Sequence, residues 1–387
     1  MKLLHISVAG ITDKFYYPFL CMLKKKLEVE QTIFIPYQKK DISEKDMNII
    51  KKYNSIDVKT IALPIKTSLD RILYFKKIKK YVTALEKNTC INDFQIIHAH
   101  SLFSDGGVAY LLKKKYSIPY IVAVRTTDVY VFMKYFPHLH GIGRKIIEAA
   151  EKVIFITPSL KNSTIQGLYN DNSRLLPKSK WEIIPNGVGD YWIDNKIKKG
   201  RELQNNKSVH LIQISRLNTQ KNVDKTILAV QILNSRGIDV KLDILGEGEL
   251  KENLEKLVRS LSLERSIYFR GFVNKPELVK EFYANNDIFI MPSEGETFGL
   301  TYIEALSQGL PIIGINGTGV SGFFENYTVG VFLDNADPRE IADGIEKIMD
   351  NYSSMSIRGI NSIEKFDWSL VVEQYGLLYK QFDKECI

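Results

Sequence analysis

Short apolar runs alternate along this chain with longer stretches in which apolar residues recur at helical spacing. KLLHISVAG at the start reads as a buried strand, and PFLCMLKKKL after it has the spacing of a helix. Gln31 to Tyr37 (QTIFIPY) follows as a strand, and Ser68 to Ala84 as a basic helix. FQIIHAH is a strand, GGVAYLLKKKY a helix and PYIVAVRTTD a strand again. A helix near Ile142 to Ala149 precedes KVIFITPS and WEIIPNGV. Strands that are apolar on both faces belong in a parallel sheet covered by helices.

The pattern lapses from Gly189 to Ser208, where GDYWIDNKIKKGRELQNNKS is polar and without clear period. This predicts a linker over 191–206, with one short helix. Alternation resumes with VHLIQISRL, a helix through Asn234, VKLDILGEG, a helix to Ser262, SIYFRGFV and a helix to Asn285. DIFIMPS, a helix from Leu300 to Gln308, LPIIGING and GVFLD complete it. Two α/β units are therefore expected, over 1–190 and 207–365. The tail WSLVVEQYGLLYKQF is an amphipathic helix with Val371, Val372, Tyr375, Leu378 and Tyr379 near one face, expected over 368–387.

The length of 387 residues suits two domains, and the 44% hydrophobic and 25% charged fractions exclude disorder, collagen and coiled coil. No apolar run approaches the roughly 20 residues of a membrane span. Three scattered cysteines, Cys21, Cys90 and Cys386, fit no metal-ligand spacing and favour a reducing, cytoplasmic compartment. Charge is uneven: up to Asp190 there are 30 Lys+Arg against 17 Asp+Glu, leaving 23 of the 53 basic and 28 of the 45 acidic residues for the remainder. A basic first half suits an anionic partner or, equally, a set of solvated lysine-rich helices.

Candidate chemistry concentrates in MPSEGETFGLTYIEALSQGLPIIG, Met291 to Gly314. A strand gives way to an acidic, glycine-containing loop and then a helix, whose first backbone N–H groups, from Phe298, Gly299, Leu300 and Thr301, are placed to hold phosphate oxygens. Glu296 before the helix and Glu304 one turn into it frame that position; read alone, they equally fit a helix cap and a surface residue. QISRLNTQKN adds Arg216 at a strand end and Lys221 five positions later, two cations suited to a diphosphate or to solvent. ILGEGEL contributes a strand-to-glycine turn at Gly246.

Taken together and in order, Arg216 with Lys221, LGEGEL, FRGFV and EGETFGLTYIEALSQGLPII resemble the donor domain of GT-B glycosyltransferases of family four, which are retaining and use nucleotide sugars. Glu296 and Glu304 match the family's E-x7-E motif, with Phe298 and Gly299 between them. IIPNGV (Ile183 to Val188) resembles the family's interdomain strand end, and FDWSLVVEQYGLLY its C-terminal crossover helix. The resemblance implies an α/β GT-B fold: two Rossmann-like, doubly wound parallel-sheet domains facing a cleft, the first binding acceptor and the second donor. It implies transfer of a hexosyl group from a nucleoside-diphosphate sugar to a hydroxyl of a glycan or lipid-linked saccharide, in surface polysaccharide or glycolipid biosynthesis. The resemblance also implies that no metal or other cofactor is obligatory. Arg216 and Lys221 then hold the diphosphate, Glu296 the sugar, Glu304 the ribose, and backbone from Gly271 to Val273 the base.

The N-terminal half resembles the family more loosely. Gly10 matches a loop that approaches the diphosphate, as one glycine where many relatives have two. VRTTDVY resembles the H-G-x-D or R-G-T-D segment, with Asp128 in the aspartate place and counted with the catalytic set, Arg125 where many relatives have histidine, and Thr126 for the glycine. In HAHSLFSDGG, His98 and His100 alternate along a strand and so are expected on opposite sides. His100, at the strand's carboxyl end, joins Arg125 as an acceptor-side candidate. RILYFKKIKKYV sets Ile72, Phe75 and Ile78 among Lys76, Lys77, Lys79 and Lys80 at helical spacing, as in a helix lying on an anionic membrane face. The enzyme is then expected in the cytoplasm, peripheral on the inner face of the cell membrane. A non-catalytic sugar-nucleotide-binding subunit requires a broken E-x7-E motif, which is intact. A nucleic-acid binder requires aromatics interleaved with arginine, where this chain has mainly lysine. A phosphorylase or epimerase of the same architecture is the competing enzyme class.

Overall fold

Residues 1–8, 15–38, 44–170, 180–203 and 208–382 are described in a computed structural model, and in them the apolar runs form a seven-stranded and a six-stranded sheet. Every strand pairing is parallel. The first sheet contains β1 (Lys2–Ile6), β2 (Glu30–Pro36), β3 (Val58–Leu63), β4 (Ile96–Ala99), β5 (Tyr120–Val124), β6 (Lys152–Phe155) and β7 (Trp181–Ile183). Its order is β3-β2-β1-β4-β5-β6-β7. The chain thus winds one way from β1 and then the other way from β4, which makes the β1/β4 boundary a topological switch point.

Successive residues of one strand serve two cores. Leu4 and Ile6 face the helices Tyr74–Asn88, Ser104–Tyr116 and His140–Ala149, whereas Leu3 faces Tyr16–Lys26 and the C-terminal helix Trp368–Lys380. That last helix belongs to the first compact unit, with Met1–Gly187, and Val188–Asp367 forms the second. Its anchor is Trp368, 1% exposed, whose ring lies so close to Gly187 that a Cβ there would come within 2.2 Å of it. A buried Trp contributes several kcal/mol on the scale of large-to-small core substitutions, about 3–5.

The second sheet contains β8 (Ser208–Ile214), β9 (Asp239–Leu245), β10 (Ile267–Gly271), β11 (Ile288–Ile290), β12 (Ile312–Ile315) and β13 (Gly330–Leu333), in the order β10-β9-β8-β11-β12-β13. Its switch point is β8/β11. The helices Val223–Ser235 and Pro338–Ser362 cover one face and Leu300–Ser307 lies on the other. The polar stretch after Gly189 begins with the helix Asp190–Asp194, which buries Trp192 in this unit; Arg201 then donates to the Tyr283 carbonyl at 3.0 Å.

Several elements escape the reading by pattern, among them the helices Pro158–Tyr169 and Pro338–Ser362. The strand Val58–Leu63 and the helix Glu44–Ser55 before it are absent from it, because V-K-T-I-A-L alternates at the sheet edge and is only partly buried. The expected helix over Ser68 to Ala84 is also split. Ser68–Arg71 forms one 3-10 turn, closed by a capping box between Thr67 and Asp70, and the α-helix starts only at Tyr74. This shift in phase turns Lys77 and Ile78 inward, at 5% and 3% exposure, and Lys80 onto Asp70 at 2.7 Å. Of the four lysines assigned to a membrane-facing surface, Lys76 and Lys79 alone are exposed. Other lysines of the basic half are neutralised within it, Lys24 by Asp57, Lys113 by Glu151 and Lys115 by Glu86.

Candidate active site

In the second unit, the loops that leave β8 and β11 at the switch point are fastened to each other. The Asn222 side chain donates to the Pro292 carbonyl at 2.8 Å, and the Glu294 N–H to the Gln220 carbonyl at 3.1 Å. Across this seam the Lys221 ammonium meets the Glu296 carboxylate, with side chains only 19% and 14% exposed. Glu296 is fixed further: its Oε1 accepts the Thr297 N–H at 3.1 Å and its carbonyl the Gly319 N–H at 3.1 Å. Gly299, at φ +79°, turns the chain into the helix Leu300–Ser307, and Phe298 and Tyr302 are buried beneath it. The first N–H groups of that helix have no intrahelical acceptor. Glu304, half-buried one turn on, meets the Tyr283 hydroxyl, whose pKa is raised first by burial and then by this carboxylate.

Gly246 shows why the β9 turn carries glycine. At φ +145° its Cβ would fall 1.8 Å from the Ser215 carbonyl oxygen, so the β8 and β9 loops touch backbone to backbone. The Gly246 N–H donates to the Gly271 carbonyl at 2.8 Å, which carries the contact to the end of β10. There Phe272 is 72% exposed and Val273 half-buried. Arg216 is exposed, and its side chain has no hydrogen-bond or ion-pair partner among the described residues. The structure thus brings Lys221, Glu296, Phe298, Gly299, Leu300 and Thr301 to one seam, with Gly246 and Gly271 on the adjoining strand ends. Two residues that sequence reasoning missed lie there too. The Ser215 and Ser293 hydroxyls are buried without a partner among the described residues. Their signal was positional, since each follows a strand end at the switch point.

The first unit treats its candidates differently. Gly10 lies outside the described residues. Asp128 is fully buried, and its carboxylate accepts the N–H groups of Arg125 at 2.8 Å, Leu102 at 2.9 Å and Phe103 at 3.1 Å. It therefore fixes the loops after β4 and β5. Arg125 donates from Nε to the His100 carbonyl at 3.0 Å and from Nη1 to Asn186 at 3.3 Å, over the Phe15 ring.

His100 does not line a surface. It is 1% exposed, its ring stacks on His98 with centroids 4.0 Å apart, and its Nε2 lies 3.1 Å from His5 Nδ1. The expected opposition of His98 and His100 fails because residues two apart in a strand share a face, so the period of two itself brings the two rings together. Burial lowers the pKa of all three imidazoles, that of His5 to about 3, so they are neutral at pH 7. Their nitrogens lie within 4.8 Å of one another; His5 Nδ1 faces His100 Nε2, and His98 Nδ1 lies 2.7 Å from the Tyr379 hydroxyl. His5 Nε2, His98 Nε2 and His100 Nδ1 are buried without a hydrogen-bond partner among the described residues. Beside this cluster a pocket of about 660 Å³ opens at the carboxyl ends of β1 to β5.

Residues 194–364 match the family model described as glycosyl transferases group 1, and residues 25–190 that described as glycosyltransferase family 4. The chain is 27% identical to N-acetyl-alpha-D-glucosaminyl L-malate synthase of Bacillus anthracis, over 74% of each protein. It is 25% identical to alpha-monoglucosyldiacylglycerol synthase of Acholeplasma laidlawii, over 84% of each. The crystal structure of Anabaena HepE in complex with UDP has the same fold, with a TM-score of 0.71 and 14% identity over 98% of this chain and 100% of that one.

Proposed function

We propose that this chain, which belongs to the glycosyltransferases of family four, moves a hexosyl group from a nucleoside-diphosphate sugar to an acceptor hydroxyl with retention of anomeric configuration. The observation that carries this reading is the Lys221–Glu296 pair, held across the β8/β11 switch point beside a helix N-terminus. A diphosphate set there meets backbone N–H groups and two cations, Lys221 and the unpaired Arg216. As the sugar–phosphate bond stretches, charge grows on the departing phosphate, and each well-aimed donor lowers the barrier by about 2.7–4 kcal/mol. Glu296, released from Lys221, faces the sugar hydroxyls and the positive charge near the anomeric carbon. Glu304 holds the ribose, and backbone from Gly271 to Val273 the base. Asp128 acts at one remove, by shaping the loops of the acceptor-binding unit. Incubation with UDP- and GDP-sugars is expected to release nucleoside diphosphate from at least one donor; release from none overturns the reading.

The acceptor in this reading is a glycan or a lipid-linked saccharide at an anionic membrane surface. No described helix is long and apolar enough to cross a membrane. Attachment would instead use Leu69, Ile72 and Phe75, which are 62%, 73% and 59% exposed, beside the exposed Lys76 and Lys79. Each lysine near such a surface contributes about 1 kcal/mol, and salt screens it. The protein should co-sediment with phosphatidylserine-containing vesicles at low salt. Combined Ile72→Asp and Phe75→Asp substitution should release it, as should Lys76→Glu with Lys79→Glu. Wild-type protein left in the supernatant overturns attachment.

A further inference from the structure

We propose that the pocket of the first unit takes its acceptor by an anionic group, a carboxylate or a phosphate, and that Lys77 reads that group. The inference rests on the transferase reading for calling the ligand an acceptor. The pocket of about 660 Å³ is lined by Val8, Gln38, Lys66, Ser101 and Thr127, the residues that follow β1, β2, β3, β4 and β5. It therefore occupies the place beyond the strand ends where open α/β sheets hold ligands, and its volume is that of a small-molecule site.

Lys77 enters this pocket from the helix Tyr74–Asn88 and is 5% exposed. A buried ammonium ordinarily sits against a carboxylate. This one has no carboxylate within ion-pair distance among the described residues. It donates to the Ser104 hydroxyl at 2.9 Å and lies 5.2 and 5.5 Å from the centres of the Tyr74 and Phe132 rings. An ammonium has three protons, so two remain for the pocket.

The nearby carboxylates act on that ammonium only from a distance, and none among the described residues pairs with it directly. Asp70 also lines the pocket, but it already accepts from Lys80 at 2.7 Å, from the Tyr81 hydroxyl at 2.8 Å and from the Thr67 N–H at 3.0 Å. Asp105 is fully buried and accepts the Val8 N–H, and burial pushes its pKa up to about 7, which makes it a poor counter-ion at neutral pH. Lys66 adds a second cation to the lining. Burial pushes the Lys77 pKa down to about 8; Lys66 depresses it further, while Asp105, Asp70 and Asp128 pull against both. An incoming anion supplies the missing charge. The Ser68 and Ser104 hydroxyls, which accept from Gln38 and Lys77, keep their own protons for neutral groups of the same ligand, Thr127 lines the pocket beside them, and Phe132 forms an apolar wall.

The test uses three probes of one carbon skeleton, glycerol, D-glycerate and sn-glycerol 3-phosphate, titrated calorimetrically into the full chain. D-Glycerate, sn-glycerol 3-phosphate or both should bind at least about tenfold more tightly than glycerol, the yield of one charged hydrogen bond, and the two separate a carboxylate from a phosphate reader. Lys77→Met should abolish the preference, Lys77→Arg should keep part of it, and neither should change the affinity for UDP or GDP. Lys66→Met, on a half-buried loop residue, should weaken it without loss of fold. Equal affinity for all three probes in the wild type, or an unchanged preference in Lys77→Met and Lys66→Met, overturns the proposal. Anion binding that follows UDP binding in every variant overturns it as well, since the anion would then sit in the donor site. The transferase reading fails separately, if no nucleotide sugar is turned over.

Discussion

Replacing Arg216 or Lys221 by alanine should each lower kcat/KM by about 10² or more, read by nucleotide release at subsaturating donor. The two losses differ in origin. Arg216 is exposed and its side chain has no partner among the described residues, so its removal should leave the melting temperature almost unchanged, as for an ordinary surface substitution. Its whole effect falls on the diphosphate. Lys221 is the counter-ion of Glu296, both at less than one-fifth exposure. Lys221→Ala removes a cation and also leaves Glu296 as an uncompensated carboxylate where a diphosphate must sit. Its loss should therefore exceed that of Arg216→Ala, and Lys221→Ala with Glu296→Gln should bind UDP more tightly than Lys221→Ala alone. Residues in direct contact are expected to couple in this way. Near wild-type turnover in both single variants would remove the diphosphate assignment.

What was legible in the sequence follows from how each signal is made. β1, β4, β5 and β8 are buried on both faces, so KLLHI, IIHA, YIVAV and SVHLIQI read as strands without tertiary information. VKTIAL is an edge strand, half in water, and its alternation carries less contrast. The seam around Lys221 and Glu296 was legible because its parts lie in two short segments with fixed strand–loop–helix grammar. Lys77 was not. In KKIKK nothing separates it from its neighbours, and what sends it inward is the 3-10 turn at Ser68–Arg71, which resets the phase of the following helix. His100 was misplaced for another reason: residues two apart in a strand share a face, and the face of His98 and His100 is packed against His5 inside the unit and not open at a surface. Gly246 is the opposite case. Its glycine was visible, while the 1.8 Å approach of the Ser215 carbonyl that demands it belongs to two loops far apart in sequence.

The two glutamates should separate when each is made alanine. Glu304 stands one turn into the helix Leu300–Ser307 and meets the Tyr283 hydroxyl, away from the Lys221 pair. If it holds the ribose, its contact is made equally in the ground and transition states. Glu304→Ala should then raise the UDP or GDP dissociation constant by about tenfold, with turnover at saturating donor changed much less. Glu296 faces the other way in energy. Its carboxylate is neutralised by Lys221 before donor arrives, and its contact with the sugar strengthens only as positive charge develops at the anomeric carbon. Glu296→Ala should therefore lower kcat by about 10². It also frees Lys221 from its ion pair, so affinity for the free nucleoside diphosphate should hold or rise. Calorimetry with UDP and GDP on both variants, beside their steady-state kinetics, makes the comparison. Equal loss of nucleotide binding in the two would show that both carboxylates hold the nucleotide and that the sugar is met by another group.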